Sequence, residues 1–190
     1  MLNKLATFIV LILFISSGTY IAAAQESKLS DSVLRLHVIA NSDDPADQAL
    51  KLAVKDEIVK FMQTEFINTT DAADAKALAQ KDMLRIKAIA EDKVLASGYE
   101  YPVEVYVGEC EFPTKSYGNM VFPQGKYQAV RVIIGEGKGK NWWCVLFPPL
   151  CLVSSGDRGM SLNSLQEAQI TFKCLELIPQ GVKLQKNGDN

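Results

Sequence analysis

Residues 117–151 constrain this chain more than any other stretch, because strand-forming runs, spaced glycines and a diproline follow one another there in a fixed order. Val130, Val132 and Ile134 alternate with Arg131 and Ile133, which suits a strand with one face fully apolar. Gly135, Gly137 and Gly139 then alternate with Glu136, Lys138 and Lys140. Such a segment can take positive φ at several positions and reads as a flexible, solvated hairpin loop. From Asn141 to Phe147 an apolar β-prone run resumes, and Pro148-Pro149 ends it, since neither proline can donate to a ladder. The glycines do not form a phosphate cradle. A P-loop ending at Gly139-Lys140 would need glycine at Ile134 and Ser or Thr at Asn141, and the dinucleotide pattern would need glycine at Lys140.

A chain of 190 residues with 48% apolar and 22% charged residues is long enough for one domain with a real core and has ordinary globular composition. Its formal net charge of -2 gives no electrostatic case for nucleic acid, which is set aside as a partner. Residues 1–24 read as a secretory signal: Lys4, an apolar run from Leu5 to Ile15, then Ala22-Ala23-Ala24 before the cleavage point. The alternative is an uncleaved N-terminal anchor, since residues 5–24 just reach across a bilayer. On either reading the remaining domain works outside the cytoplasm, and it meets a membrane only through that segment or through a partner.

Export changes the meaning of Cys110, Cys144, Cys151 and Cys174, because disulfides persist outside the cytoplasm. A local bridge between Cys144 and Cys151 across the diproline bend is one expectation. Two small buried apolar side chains is the other. No C-x-x-C pair exists and His37 is the only histidine, so no metal site is expected.

In chain order, residues 25–31 read as a linker. Residues 32–40 read as a strand, with Leu34, Leu36 and Val38 on one side and Val33, Arg35, His37 and Ile39 on the other. Asp44 and Pro45 start a helix over about 45–64, with Leu50, Val54, Ile58, Phe61 and Met62 on one stripe. Asp71 caps a second helix over about 72–96, with Ala79, Met83, Ile86, Ala90 and Val94 on one face and Ser97-Gly98 as its stop. The two pack as a helical hairpin. Tyr101 to Val107 alternates as a strand that continues or pairs back through Phe112. Residues 113–127 read as loop, with a short strand at Met120-Val121-Phe122. Ser164-Leu165-Gln166-Glu167 opens a third, C-terminal helix, Val182 to Leu184 adds a short strand, and 185–190 is a frayed tail. The expected architecture is a single α+β domain over residues 32–184. It is a mostly antiparallel sheet with the helical hairpin and the C-terminal helix packed on one face.

Chemistry is scarce. A Ser-His-Asp triad would need His37, and no serine sits in a G-x-S-x-G elbow. A Cys-His pair would have to join His37 to Cys144 or Cys151, both inside an apolar run where thiols are usually unreactive. Trp142 and Trp143 are adjacent on a strand and so face opposite ways. One enters the core; the other is either an exposed indole, of the kind enriched at partner interfaces, or is covered by residues 113–127. Beside them and Asn141, Arg35 and His37 read as the exposed face of a neighbouring strand, with a satisfied structural histidine as the alternative for His37.

The segment Leu34 to Asp43, followed by Pro45, Gln48 and Lys51, resembles the N-terminal signature of the stage II sporulation protein R family. Phe112 to Gly118, Tyr127 to Gly135 and Gly137 to Cys151 resemble its second half, so the likeness spans residues 33–151. It implies a protein made in the forespore of an endospore-forming bacterium and exported into the space between forespore and mother cell. There such a protein activates a membrane-embedded aspartic protease of the mother cell, which cleaves the sigma-E precursor. The resemblance carries over no catalytic residue, no cofactor and no small-molecule substrate. Trp142, Trp143, Arg35, His37 and Asn141 are then candidates for the partner surface. The reading from a different class is an exported enzyme, thiol-dependent or acting on cell wall, that uses Cys144 or Cys151 with His37.

Overall fold

The computed structural model describes residues 29–117 and 120–151, together with the backbone of residues 183 and 184. The expected signal segment, the C-terminal helix at 164 and the tail lie outside the described residues. The chain forms β1 (Leu34–Ile39), α1 (Pro45–Glu65), a 3-10 turn (Phe66–Asn68), α2 (Ala72–Lys81), α3 (Met83–Ala96) and β2 (Val103–Phe112). It continues with β3 (Lys115–Tyr117), β4 (Met120–Phe122), β5 (Gly125–Ile134), β6 (Asn141–Phe147) and β7 (Lys183–Leu184). The fold is α+β, as expected.

The main sheet has the order β2-β5-β1-β6, and a smaller sheet has the order β3-β4-β7. β1 runs parallel to β5 and antiparallel to β6, while β2 and β5 pair antiparallel over ten rungs. All six residues of β1 are buried, the pattern of a central strand covered on both faces. Its even-numbered face continues through the register Leu36–Val130–Val107 and Val38–Val132–Val105. Trp142 stands opposite Val38 on that face, and Lys55 of α1 reaches over its ring at 5.0 Å, so this is the face the helices cover. Leu50, Val54, Ile58 and Met62 of α1 and Ile86, Ala90 and Val94 of α3 are buried in the core. Burying each such large aliphatic side chain stabilises by about 1.5–3 kcal/mol, which exceeds what helix propensity alone supplies.

Four local expectations change. The second helix divides at Asp82, a buried residue with φ -93° and ψ 10°. Its N–H still bonds Leu78 O at 2.9 Å and its carbonyl still accepts from Ile86 N at 2.9 Å, so the ladder bends and does not stop. Its carboxylate makes no cap bond to α3 and accepts from Arg85 Nη1 at 3.3 Å. Leu29, at the end of the stretch read as linker, is buried in the core. Residues 113–127 hold an extra strand, β3, and β5 begins at Gly125 because it pairs with β2 without interruption from Gly125–Phe112 onward.

The largest change concerns the glycine loop. It is not a hairpin loop, because β1 lies between β5 and β6. Residues 135–140 cross the end of β1 and clasp the segment that follows it. Gly139 N donates to Ala40 O at 2.9 Å and Lys138 N to Asn41 O at 3.0 Å. Glu136 N donates to Asn41 Oδ1 at 3.0 Å and Lys140 N to Asp43 Oδ1 at 2.7 Å. Asp47, buried at the start of α1, accepts from Asn41 Nδ2 at 2.8 Å and Ser42 Oγ at 2.6 Å. Those bonds hold its carboxyl below the usual carboxylate range. Buried Lys51 closes the clasp on Lys140 O at 2.9 Å and Gln48 Oε1 at 2.6 Å. The glycines are needed here: Gly135 and Gly137 have φ +59° and +63°, and any Cβ on Gly139 would run into the Ser42 carbonyl.

Candidate partner-binding site

The clasp fixes Asn141, the first residue of β6, and through it the register of β6 on β1. Ile39 pairs with Asn141, His37 with Trp143 and Arg35 with Val145. Arg35, His37, Asn141 and Trp143 therefore share the odd-numbered face of the sheet. Trp142 and Cys144 pair with Val38 and Leu36 and lie on the helical face. The two tryptophans do face opposite ways, and both are half-buried against the core.

His37 and Trp143 stack with centroids 3.7 Å apart and planes 16° from parallel. Phe112 meets Trp143 edge-on at 4.8 Å. His37 Nε2 lies 2.7 Å from Asn141 Oδ1; the amide oxygen can only accept, so Nε2 carries the hydrogen. Burial pushes the His37 pKa down to about 4, and the Arg131 charge adds to that, against the raising effect of the Asn141 bond. At neutral pH it is an uncharged ring, stacked on Trp143 and bonded to Asn141.

Arg35 is completely buried. Its guanidinium lies 4.1 Å from the Phe112 ring centre, 4.7 Å from Tyr127, 5.6 Å from Phe122 and 5.9 Å from Tyr117. Nη2 donates to Tyr117 Oη at 2.8 Å. Among the described residues, Nε and Nη1 have no hydrogen-bond partner. Burial lowers the Arg35 pKa and raises that of Tyr117, so the pair is a guanidinium and a neutral phenol. Each cation–π contact is worth about 0.5–2 kcal/mol and a buried charge without a counter-charge costs several kcal/mol, so four rings are of the same order as that penalty but pair none of the remaining N–H groups.

Arg35 and His37 are therefore not the exposed face of a strand. The β3–β4 hairpin folds over that face and buries Tyr117 and Phe122 against it. The accessible rim consists of exposed Asn141 and the half-buried Trp143. Sequence reasoning missed the four rings of the cage. One signal was present: Phe112, Tyr117, Phe122 and Tyr127 recur every five residues through the stretch read as loop.

Cys144 and Cys151 form the expected disulfide, with Cα atoms 5.1 Å apart. Leu150 N bonds Val145 O at 3.1 Å inside the same bend. The pairing of His37 with Cys144 or Cys151 is not formed. Both sulfurs are in the bridge, and Cys144 faces the helices while His37 faces the hairpin. Among the described residues no group of three or more His, Cys, Asp or Glu side chains could hold a metal ion.

Comparison with known proteins places these features in one family. The family model for stage II sporulation protein R matches residues 30–157. The stage II sporulation protein R of Bacillus subtilis (strain 168) is 31% identical over 191 aligned positions, covering 95% of this chain and 85% of that protein. No solved structure matches.

Proposed function

The chain belongs to the stage II sporulation protein R family, and from that premise we propose that it is a secreted signalling protein of endospore formation. It is exported from the forespore by residues 1–24 and acts in the space between forespore and mother cell. It binds a membrane-embedded aspartic protease of the mother cell and activates it, and that protease cleaves the sigma-E precursor. The chain contributes recognition and no bond chemistry. The observation that carries this reading is the extent of the match, which takes in β1 to β6 together with the clasp, the aromatic cage and the disulfide. The site geometry supports it: the one histidine is neutral and stacked, the paired cysteines are bridged, and the face that carries the predicted residues is built of rings and guanidinium groups. The partner surface is centred on Asn141 and Trp143, with Trp142 on the opposite face of the same strand.

The test is precursor cleavage in a heterologous cell that expresses this chain, a mother-cell protease of the aspartic membrane class and the sigma-E precursor. Cleavage that requires this chain, and persists in Cys144→Ser with Cys151→Ser, is the expected result. Uncleaved precursor with all three proteins present and folded refutes the proposal.

A further inference from the structure

Arg35 is completely buried, yet among the described residues no carboxylate forms an ion pair with it, and the Nε hydrogen and both Nη1 hydrogens are unpaired. A guanidinium in this state leaves buried N–H donors unpaired, a cost that a Met of similar volume would not carry. The neighbouring groups on this face do not help. Arg131 stands opposite His37 across the β1–β5 pair, adds a second positive charge, and its Nε also lacks a partner among the described residues. His37 is uncharged. The face thus carries guanidinium groups with donors to spare.

β3 and β4 belong to the small sheet, separate from the ladder of β2, β5, β1 and β6. The hairpin leaves the main sheet just after its last rung, Phe112–Gly125, through Pro113-Thr114 on one side and Pro123-Gln124 on the other. Ring contacts and the Arg35–Tyr117 hydrogen bond hold it down on Arg35, Gln124 N bonds Thr114 Oγ1 across its neck, and β4 also pairs with β7. Lifting it breaks no rung of the main sheet.

We infer that Arg35 is the receptor for a carboxylate side chain of the protein partner, which replaces the Tyr117 hydroxyl when the β3–β4 hairpin swings away. Carboxylate suits the planar guanidinium and its unpaired N–H groups, and the aromatic walls suit apolar residues flanking the acid. The signal is then completed only on binding, because the partner supplies the missing negative charge. This inference rests on the reading of the chain as a protein ligand.

The test compares full-length wild type, Arg35→Met and Arg35→Lys in two measurements, the thermal midpoint of the purified chain and precursor cleavage in the heterologous cell. Arg35→Met is expected to melt at or above wild type, by up to about 5 °C, since it removes buried N–H donors that have no partner among the described residues. It is also expected to reduce cleavage at least ~30-fold, as loss of one member of a buried interfacial charge pair does, with Arg35→Lys intermediate. A Met variant clearly less stable than wild type overturns the inference, because the rings and Tyr117 then already compensate the guanidinium within the chain. A stable Met variant with full cleavage also overturns it. If wild type itself supports no cleavage, the ligand reading fails, and the receptor is judged with acetate as the probe. Acetate should raise the wild-type midpoint above equimolar chloride in a saturable way and leave Arg35→Met unmoved; equal responses reject the site.

Discussion

Gly139→Ala tests the clasp that holds β6 in register. A methyl at this position would stand well inside contact distance of the Ser42 carbonyl oxygen, 2.5 Å from its carbon and 2.9 Å from Ala40 Cβ. Relief requires a displacement on the order of 1 Å by backbone on one side or the other. Four hydrogen bonds oppose that movement: Gly139 N to Ala40 O, Lys138 N to Asn41 O, Lys140 N to Asp43 Oδ1 and Lys51 Nζ to Lys140 O, at 2.9, 3.0, 2.7 and 2.9 Å. A shift of about 1 Å takes at least two of them out of range, at ~1 kcal/mol each, and overpacking adds ~1–3 kcal/mol. The expected loss is therefore about 3–5 kcal/mol. Gly125→Ala is the control, since the nearest atom to its added methyl is Tyr127 Cε2 at an ordinary 3.7 Å, and it should stay within about 0.5 kcal/mol of wild type. Urea unfolding followed by the fluorescence of Trp142 and Trp143 measures both. If the two variants differ by less than about 1 kcal/mol at unchanged m, the glycine loop yields freely and the clasp is not what orders Asn141.

His37 is the only histidine, so its imidazole protons give one titrating signal, expected near pH 4. The folded pKa lies below the unfolded value of about 6.5, so as pH falls below about 6.5 the unfolded chain takes up a proton that the folded chain refuses. Stability should fall through that window by roughly 3 kcal/mol down to about pH 4, and the difference between wild type and His37→Gln over the same range isolates the effect. Trp143→Leu removes the 3.7 Å stack and opens the ring to water, so the His37 signal should titrate between 4 and 6.5 while urea stability drops by about 2–3 kcal/mol. An unmoved titration would show that the hairpin alone buries the imidazole. Replacing Cys144 and Cys151 by Ser releases an eight-residue loop, for which chain entropy gives a loss of about 2.5 kcal/mol; a urea midpoint unaffected by the double change would show the bend is held by its own hydrogen bonds.

Local patterns carried much of this protein in the sequence. The apolar stripes of α1 and α3 at 3.6-residue spacing, the period-two faces of β1 and β2, and the opposite orientation of Trp142 and Trp143 follow from backbone geometry alone. The same holds for the helix start at Pro45, whereas the Cys144–Cys151 bridge is one of two local readings until the fold joins the sulfurs. Apart from the bridge, these features needed no knowledge of what packs against them.

Tertiary structure decided what those local features mean. Arg35 and His37 read as exposed because they are polar and alternate with leucine and valine, but alternation identifies two faces without saying what covers either one. The β3–β4 hairpin, more than 75 residues further along the chain, covers the second face and turns a charged surface into a buried aromatic cage. Likewise, spaced glycines between two strands suggest a hairpin when the strands are assumed to be neighbours. Because β1 inserts between β5 and β6, Gly139 comes to lie against the Ser42 carbonyl with no room for a Cβ, and Gly135 and Gly137 take the positive φ that the crossing needs. Strand order and face coverage are set by contacts between segments distant in sequence, which single-chain periodicity does not encode.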